Sequence, residues 1–306
     1  MPDAVLRVGG YAPRESSHSS ALGLLAREIE TRTEGRLGVT ILWNVLDEGM
    51  PATALLDMVE GGELAMCYFS TSYLGDRVSD LNVLETPFLF DTLEAAHRAL
   101  DGSLGAALTR SVERQTGFRV LGYWDNGFRH LTNCVRSVRA PEDCRGLRVR
   151  LQPNSVHEAM IEAWGGVPVP AELRRGIEMI RSGEVDAQEN PLANTVAYGV
   201  DRVHRFATMT AHLYGARGVF AHPGTLAGLP ADGAEAVREA VSTAIAHQRR
   251  TAEAGESLLR RRLEAEGMEF VDLTAEGREA FRDAAAGVIA GARRRLGGEL
   301  FELAGA

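Results

Sequence analysis

From Ala231 to Glu266 the chain runs without a proline, and Ala236, Val237, Val241 and Ile245, then Leu258, Leu259 and Leu263, place apolar side chains along the stretch. A helix over this stretch would be ~54 Å long, more than one small domain is wide. It predicts two bodies with one helix running along both. The length of 306 residues agrees, since it corresponds to about two domains of ordinary size.

Upstream, strand and helix signals alternate. Val5–Val8 reads as a strand. Ser16–Thr33 reads as a helix with Leu22, Leu25 and Ile29 on one face and a stop at Gly35. Strands Leu37–Leu42 and Leu64–Tyr68 flank a short helix, Pro51–Glu60, that ends at Gly61-Gly62. Helices Leu93–Leu100 and Leu104–Gln115 lead into strand Phe118–Trp124. Strand Leu147–Leu151, helix Val156–Trp164, helix Leu173–Ile180 with a stop at Gly183, and strand Val185–Gln188 follow. This alternation predicts an α/β protein with a mainly parallel sheet. No period of about 20–50 residues repeats, so a solenoid is excluded. The runs Arg260-Arg261-Arg262 and Arg293-Arg294-Arg295 read as solvated faces.

Several function classes fall away. All 33 basic residues are Arg and none is Lys. Lysine Schiff-base chemistry, the P-loop lysine and the kinase strand lysine are therefore absent. A net charge of −9 argues against a broad nucleic-acid surface. There is no G-x-S-x-G elbow and no G-x-G-x-x-G fingerprint. His157-Glu158 opens like H-E-x-x-H, but Ile161 stands where the second His belongs. No C-x-x-C occurs, so a structural zinc site is not expected. No stretch reaches the ~18 apolar residues of a membrane span. The opening MPDAVLRVGGYAP has no apolar export core; the expectation is either a cytosolic chain or one whose export segment has been removed. Cys67 lies in an apolar run and reads as a core thiol. Cys134 and Cys144 flank a short polar segment, where a bridge is sterically possible in an oxidising compartment.

In open α/β sheets a ligand sits beyond the carboxyl ends of the strands. Tyr68, Ser70 and Tyr73 follow one expected strand end, and Arg129 and His130 follow another. Arg150 sits on a strand among apolar neighbours, and Glu189 and Asn190 follow Val185–Gln188. Two arginines with an Asn, hydroxyls and aromatics suit an organic anion. His18 and His212 could line a cleft. The plain alternatives are a strand-end Arg150 paired with a Glu, core packing for Tyr68–Tyr73, and structural roles for the histidines.

Motifs along nearly the whole chain resemble those of the solute-binding proteins of tripartite ATP-independent periplasmic (TRAP) transporters. They are GFRHLTN (Gly127–Asn133), PEDCRGLRVRLQ (Pro141–Gln152), GGVPVP (Gly165–Pro170) and SGEVDAQENP (Ser182–Pro191). EGRLGVTI, MVEGGELAM and TPFLF precede them in the family's order, and His212 and the long helix also fit. The resemblance implies a two-lobed periplasmic binding protein fold with hinge crossings and a long helix spanning both domains. It implies lobes of residues 1–125 with about 212–245, and of about 126–211 with 246–306. Its members take a small organic acid, deliver it to permease subunits in the membrane, use no cofactor and are commonly monomers. Arg150 falls on the family's carboxylate clamp, and Arg129 and Asn190 fall on further ligand contacts. Leu173 falls near the family's usual aromatic; that departure, WNVLDEGMP (Trp43–Pro51) and the missing Trp of HPGTLAGLP (His222–Pro230) bear on the ligand more than on the fold. The rival reading is an α/β enzyme acting on a carboxylate, with Glu189, His130 or His212 as its acid or base. Glu189 also leaves room for a ligand carrying an ammonium group.

Overall fold

The computed structural model describes residues 2–306. In chain order the first elements are β1 (Ala4–Gly9), α1 (Ser17–Arg32), β2 (Leu37–Leu42), α2 (Ala54–Glu60), β3 (Met66–Ser70), α3 (Leu93–Asp101), α4 (Ser103–Gln115) and β4 (Arg119–Asn133). Then come β5 (Arg148–Leu151), α5 (Ser155–Ala163), β6 (Val167–Pro170), α6 (Leu173–Ser182), β7 (Ala187–Asn190), α7 (Leu192–Ala197) and β8 (Phe206–Ala221). The chain closes with α8 (Pro223–Ala227), α9 (Ala231–Ala265), β9 (Glu269–Asp272), α10 (Ala275–Ala284), α11 (Ala286–Leu296) and α12 (Gly298–Ala304).

Packing divides the chain into two units of three segments each. Unit 1 holds the residues up to Ser70, Gly105–Asp125 and Arg217–Ala254; unit 2 holds Thr71–Leu104, Asn126–Ala216 and Gly255–Ala306. The segment Thr71–Leu104, which the sequence reading leaves in the first lobe, packs within unit 2: α3 lies against α12. The long helix α9 has the expected bounds to within a residue and contributes to both units.

In unit 1, β1 pairs in parallel with β2 and β3, and β3 pairs antiparallel with the end of β8, from Met66↔Ala221 to Ser70↔Arg217. Helix α1 starts where Ser16 caps it, its side chain accepting from the Ser19 N–H at 3.1 Å. Its buried face carries Leu22, Leu25 and Ile29, as the spacing predicts. In unit 2, β5 pairs in parallel with β6 and β7, β7 pairs antiparallel with β4, and β9 joins the start of β8. The core below holds Leu131, Leu147, Val149, Leu151, Met160, Trp164 and Phe281. Trp164 buries its ring there and donates Nε1–H to the Phe281 carbonyl at 3.0 Å.

Several expectations change. Strand β4 does not end at Trp124 but runs 15 residues to Asn133, so Arg129 and His130 lie within it. Asp125-Asn126-Gly127 resembles a turn, yet the Asp125 N–H donates to Gln248 Oε1 at 2.8 Å and Gly127 takes the strand through φ +95°. Strand β7 starts later than expected, so Glu189 and Asn190 are strand residues, and β3 likewise extends to include Ser70. The 16-residue β8 has no counterpart in the predicted elements, and His212 sits inside it. These long strands add antiparallel pairings to the expected parallel sheet.

All three cysteines are free thiols; Cys134 is exposed and Cys144 is buried, which pushes its pKa up to about 12. Among the described residues no helix is long and apolar enough to cross a membrane.

Candidate functional site

In unit 2, β5 carries Arg150 between Val149 and Leu151 in a strand buried along its last three residues. The arginine is 2% exposed. Its Nη2 donates to the Ala171 carbonyl at 2.7 Å and touches Tyr73 Oη at 3.5 Å. No carboxylate among the described residues pairs with it, and its Nε has no partner. Burying an uncompensated charge is expensive, and pairing with an anion would relieve that cost. Leu173, the first residue of α6, is buried close in sequence to Ala171. Burial raises the Tyr73 pKa, with the Arg150 charge opposing it, and the phenol stays neutral.

Arg129 is different, because it already has its anion. Its Nε and Nη2 grip Glu189 side-on, Nη2–Oε1 measuring 2.7 Å, and Nη2 also donates to the Glu189 carbonyl at 2.7 Å. Both residues are essentially inaccessible, and Nη1 of Arg129 has no partner. Burial would raise the Glu189 pKa, but the Arg129 charge and hydrogen bonds from His212 and Arg129 hold it well below the usual carboxylate range. Both carboxylate oxygens of Glu189 accept from Arg129. His212 Nε2 stands 3.5 Å from Glu189 Oε2, and its Nδ1 is 2.6 Å from Thr210 Oγ1. His157, with Nε2 2.7 Å from Glu85 Oε2, approaches Glu189 from another side at 3.8 Å. Glu189 thus holds Arg129, and His212 stands beside Glu189.

Asn190 belongs to a chain of amides. Asn194 Nδ2 donates to Asn190 Oδ1 at 3.0 Å and to Asn126 Oδ1 at 2.9 Å, while Gln188 Nε2 donates to Thr195 Oγ1 at 3.1 Å. Such a cluster offers both donors and acceptors to hydroxyl groups.

Unit 1 gathers Tyr68, Ser70 and His18. Tyr68 Oη accepts from the Tyr11 N–H at 3.2 Å, and its ring lies 5.3 Å from His18 and 5.1 Å from Trp124. His18 Nε2 is 2.7 Å from the Asp125 carbonyl. Burial, then the nearby Arg217 charge, lowers the His18 pKa well below its ordinary value, so the ring is neutral. Arg217 lies opposite Ser70 in the β3–β8 register and places its guanidinium 4.7 Å over Tyr11 and 5.5 Å over Tyr68. The sequence reading missed Arg217 because it missed β8. It also missed Trp124 Nε1, a buried donor without a partner, since a strand-end Trp reads as core.

Burial lowers the pKa of both His204 and His212 to about 4. The ordinary value is about 6.5, so below that pH the unfolded chain takes up protons that the folded chain refuses. Their contribution to stability is whole above pH ~6.5 and is lost as pH falls toward about 4. In the native protein the Hε1 resonances of both rings should stay fixed between pH 7.5 and 5. A midpoint near 6.5 for either would contradict this burial effect.

Among the described residues no group of three or more His, Cys, Asp or Glu side chains is placed to hold a metal. The sequence model of the bacterial extracellular solute-binding protein, family 7, matches residues 8–294. A solute-binding protein of Verminephrobacter eiseniae is 31% identical over 68% of this chain, which spans 62% of that relative's length. The 2,3-diketo-L-gulonate-binding periplasmic protein of Escherichia coli is 30% identical, over 91% of this chain and 84% of its own. The crystal structure of a TRAP periplasmic solute-binding protein from Polaromonas sp. JS666, bound to D-erythronate, superposes with a TM-score of 0.92 at 25% identity and covers 99% of this chain and 98% of that one.

Proposed function

The chain belongs to the bacterial extracellular solute-binding proteins of family 7, and from that premise we propose that it is the periplasmic receptor of a TRAP transporter for a hydroxylated carboxylic acid. The family is one of solute receptors, so the reading as an enzyme is set aside. The observation that carries the ligand class is Arg150, a buried guanidinium that no carboxylate among the described residues neutralises. Arg and carboxylate match in planar, two-point geometry, so the acid group of the ligand takes this place. Tyr73 and Asn190 supply polar contacts beside it, and Arg129, fixed by Glu189, has Nη1 to offer. In unit 1, Tyr68 gathers with His18 and Arg217, and Ser70 lies opposite Arg217 in the strand register. The relatives that bind 2,3-diketo-L-gulonate and D-erythronate favour an acid bearing several oxygens. We take the protein to work as a monomer that hands its acid to membrane permease subunits.

A thermal-shift panel of D-erythronate, 2,3-diketo-L-gulonate, succinate and an amine without an acid group tests the ligand class. An acid at 100 times its Kd should stabilise the fold by ~2.7 kcal/mol. A melt raised by the amine and by none of the acids would sink the proposal.

A further inference from the structure

Helix α6 has a glycine, Gly176, in its interior, where glycine is a poor choice for a helix. Its neighbour explains it. A Cβ at position 176 would lie 2.2 Å from Arg150 Nε, 2.9 Å from Cδ and 3.0 Å from Cζ. Atoms that are not bonded to one another do not approach so closely, so any side chain at 176 must displace the guanidinium or the helix. Gly176 is buried, and the arginine has little room to yield. Nη2, which shares the side-on edge with Nε, is already held by the Ala171 carbonyl at 2.7 Å, and Ala171 lies just ahead of the same helix. The bare backbone of Gly176 thus forms a notch in which the Nε flank of Arg150 lies.

We propose that Gly176 is a positioning residue for the ligand carboxylate: its missing side chain lets α6 press on the Nε flank of Arg150 and leaves the opposite, end-on edge for the acid. This rests on the reading of Arg150 as the anchor. Nε faces the helix and has no partner, so a side-on approach of the kind Glu189 makes to Arg129 is closed at Arg150. The two arginines would then differ in kind: one gripped side-on by the chain's own carboxylate, the other kept open end-on for a guest.

The test compares Gly176→Ala, Arg150→Lys, Arg150→Ala and the double variant Gly176→Ala/Arg150→Lys. Alanine is the better helix former, so a mere helix-propensity effect would favour the variant. In a crystal structure of ligand-free Gly176→Ala, Arg150 Nη2 should no longer donate to the Ala171 carbonyl, and this readout needs no ligand. Titration with D-erythronate should show Gly176→Ala weakened at least tenfold, and the same substitution changing Kd less than twofold in the Arg150→Lys background. An unchanged hydrogen bond from Nη2 to Ala171 would overturn the proposal. So would equal losses in both backgrounds, which would mark a plain packing defect. If Arg150→Ala loses binding while Gly176→Ala does not, the anchor stands and only the positioning role falls. If Arg150→Ala binds as wild type, the anchor itself fails, and the role assigned to Gly176 fails with it.

Discussion

Arg150→Ala is expected to weaken binding of D-erythronate, or of whichever acid the panel selects, by about 10²–10³-fold. The guanidinium is 2% exposed, so a carboxylate that meets it is desolvated as well. Removing one partner of such a pair typically costs ~3–5 kcal/mol, and ~1.4 kcal/mol is tenfold in Kd. Arg150→Lys keeps the charge but offers a compact donor on a flexible stem, so it should recover only part of the loss. In the ligand-free protein the truncation should cost little stability, because Arg150 pairs with no carboxylate among the described residues. Calorimetric titration beside thermal melts separates the outcomes. A Kd within threefold of wild type would remove Arg150 as anchor, and a large stability loss would make it a structural arginine.

The opposite signature is expected at Glu189. Glu189→Gln leaves the Arg129 charge buried with its side-on partner neutralised, in a place where both side chains are essentially inaccessible. The expected cost is ~3–5 kcal/mol of folding free energy, measured by urea unfolding at pH 7.5. Replacing both members by apolar residues, as in Arg129→Met/Glu189→Leu, should restore most of that stability, because the cost comes from the orphaned charge. The carboxylate is held below its ordinary pKa, so its share of stability is present above pH ~4.3 and is lost as pH falls through its folded value. A single variant within ~0.5 kcal/mol of wild type would show that water or rearrangement compensates Arg129 freely.

The contrast between these two arginines was only half legible in the sequence. Each stands in a motif and is readable there, but the partner of Arg129 is 60 residues away and appears only through the antiparallel pairing of β4 with β7. Regular amphipathic elements were readable: α1, β2 and α9 fell within a residue or two of their expected bounds. Strand β8 was not, since Thr208, Thr210, His212 and Arg217 are buried polar residues that erase any alternation of apolar and polar positions. With β8 went Arg217, and with the misread end at Trp124 went the strand placement of Asp125–Asn133. Gly176 was invisible for another reason: one glycine in a helix carries no signal until the side chain opposite is known.

The pairing of β3 with the end of β8 sets the order in which this chain can fold. Ser70 and its partner Arg217 are about 150 residues apart in sequence, and unit 1 also needs Gly105–Asp125 and the start of α9. No amino-terminal piece can therefore close its own core while the ribosome is still making the middle of the protein. Contacts of such long sequence separation make folding slow, since the entropy of closing the loop is lost before the strands reward it. The nascent chain is therefore expected to stay open and available to chaperones until the residues of β8 and α9 have been made.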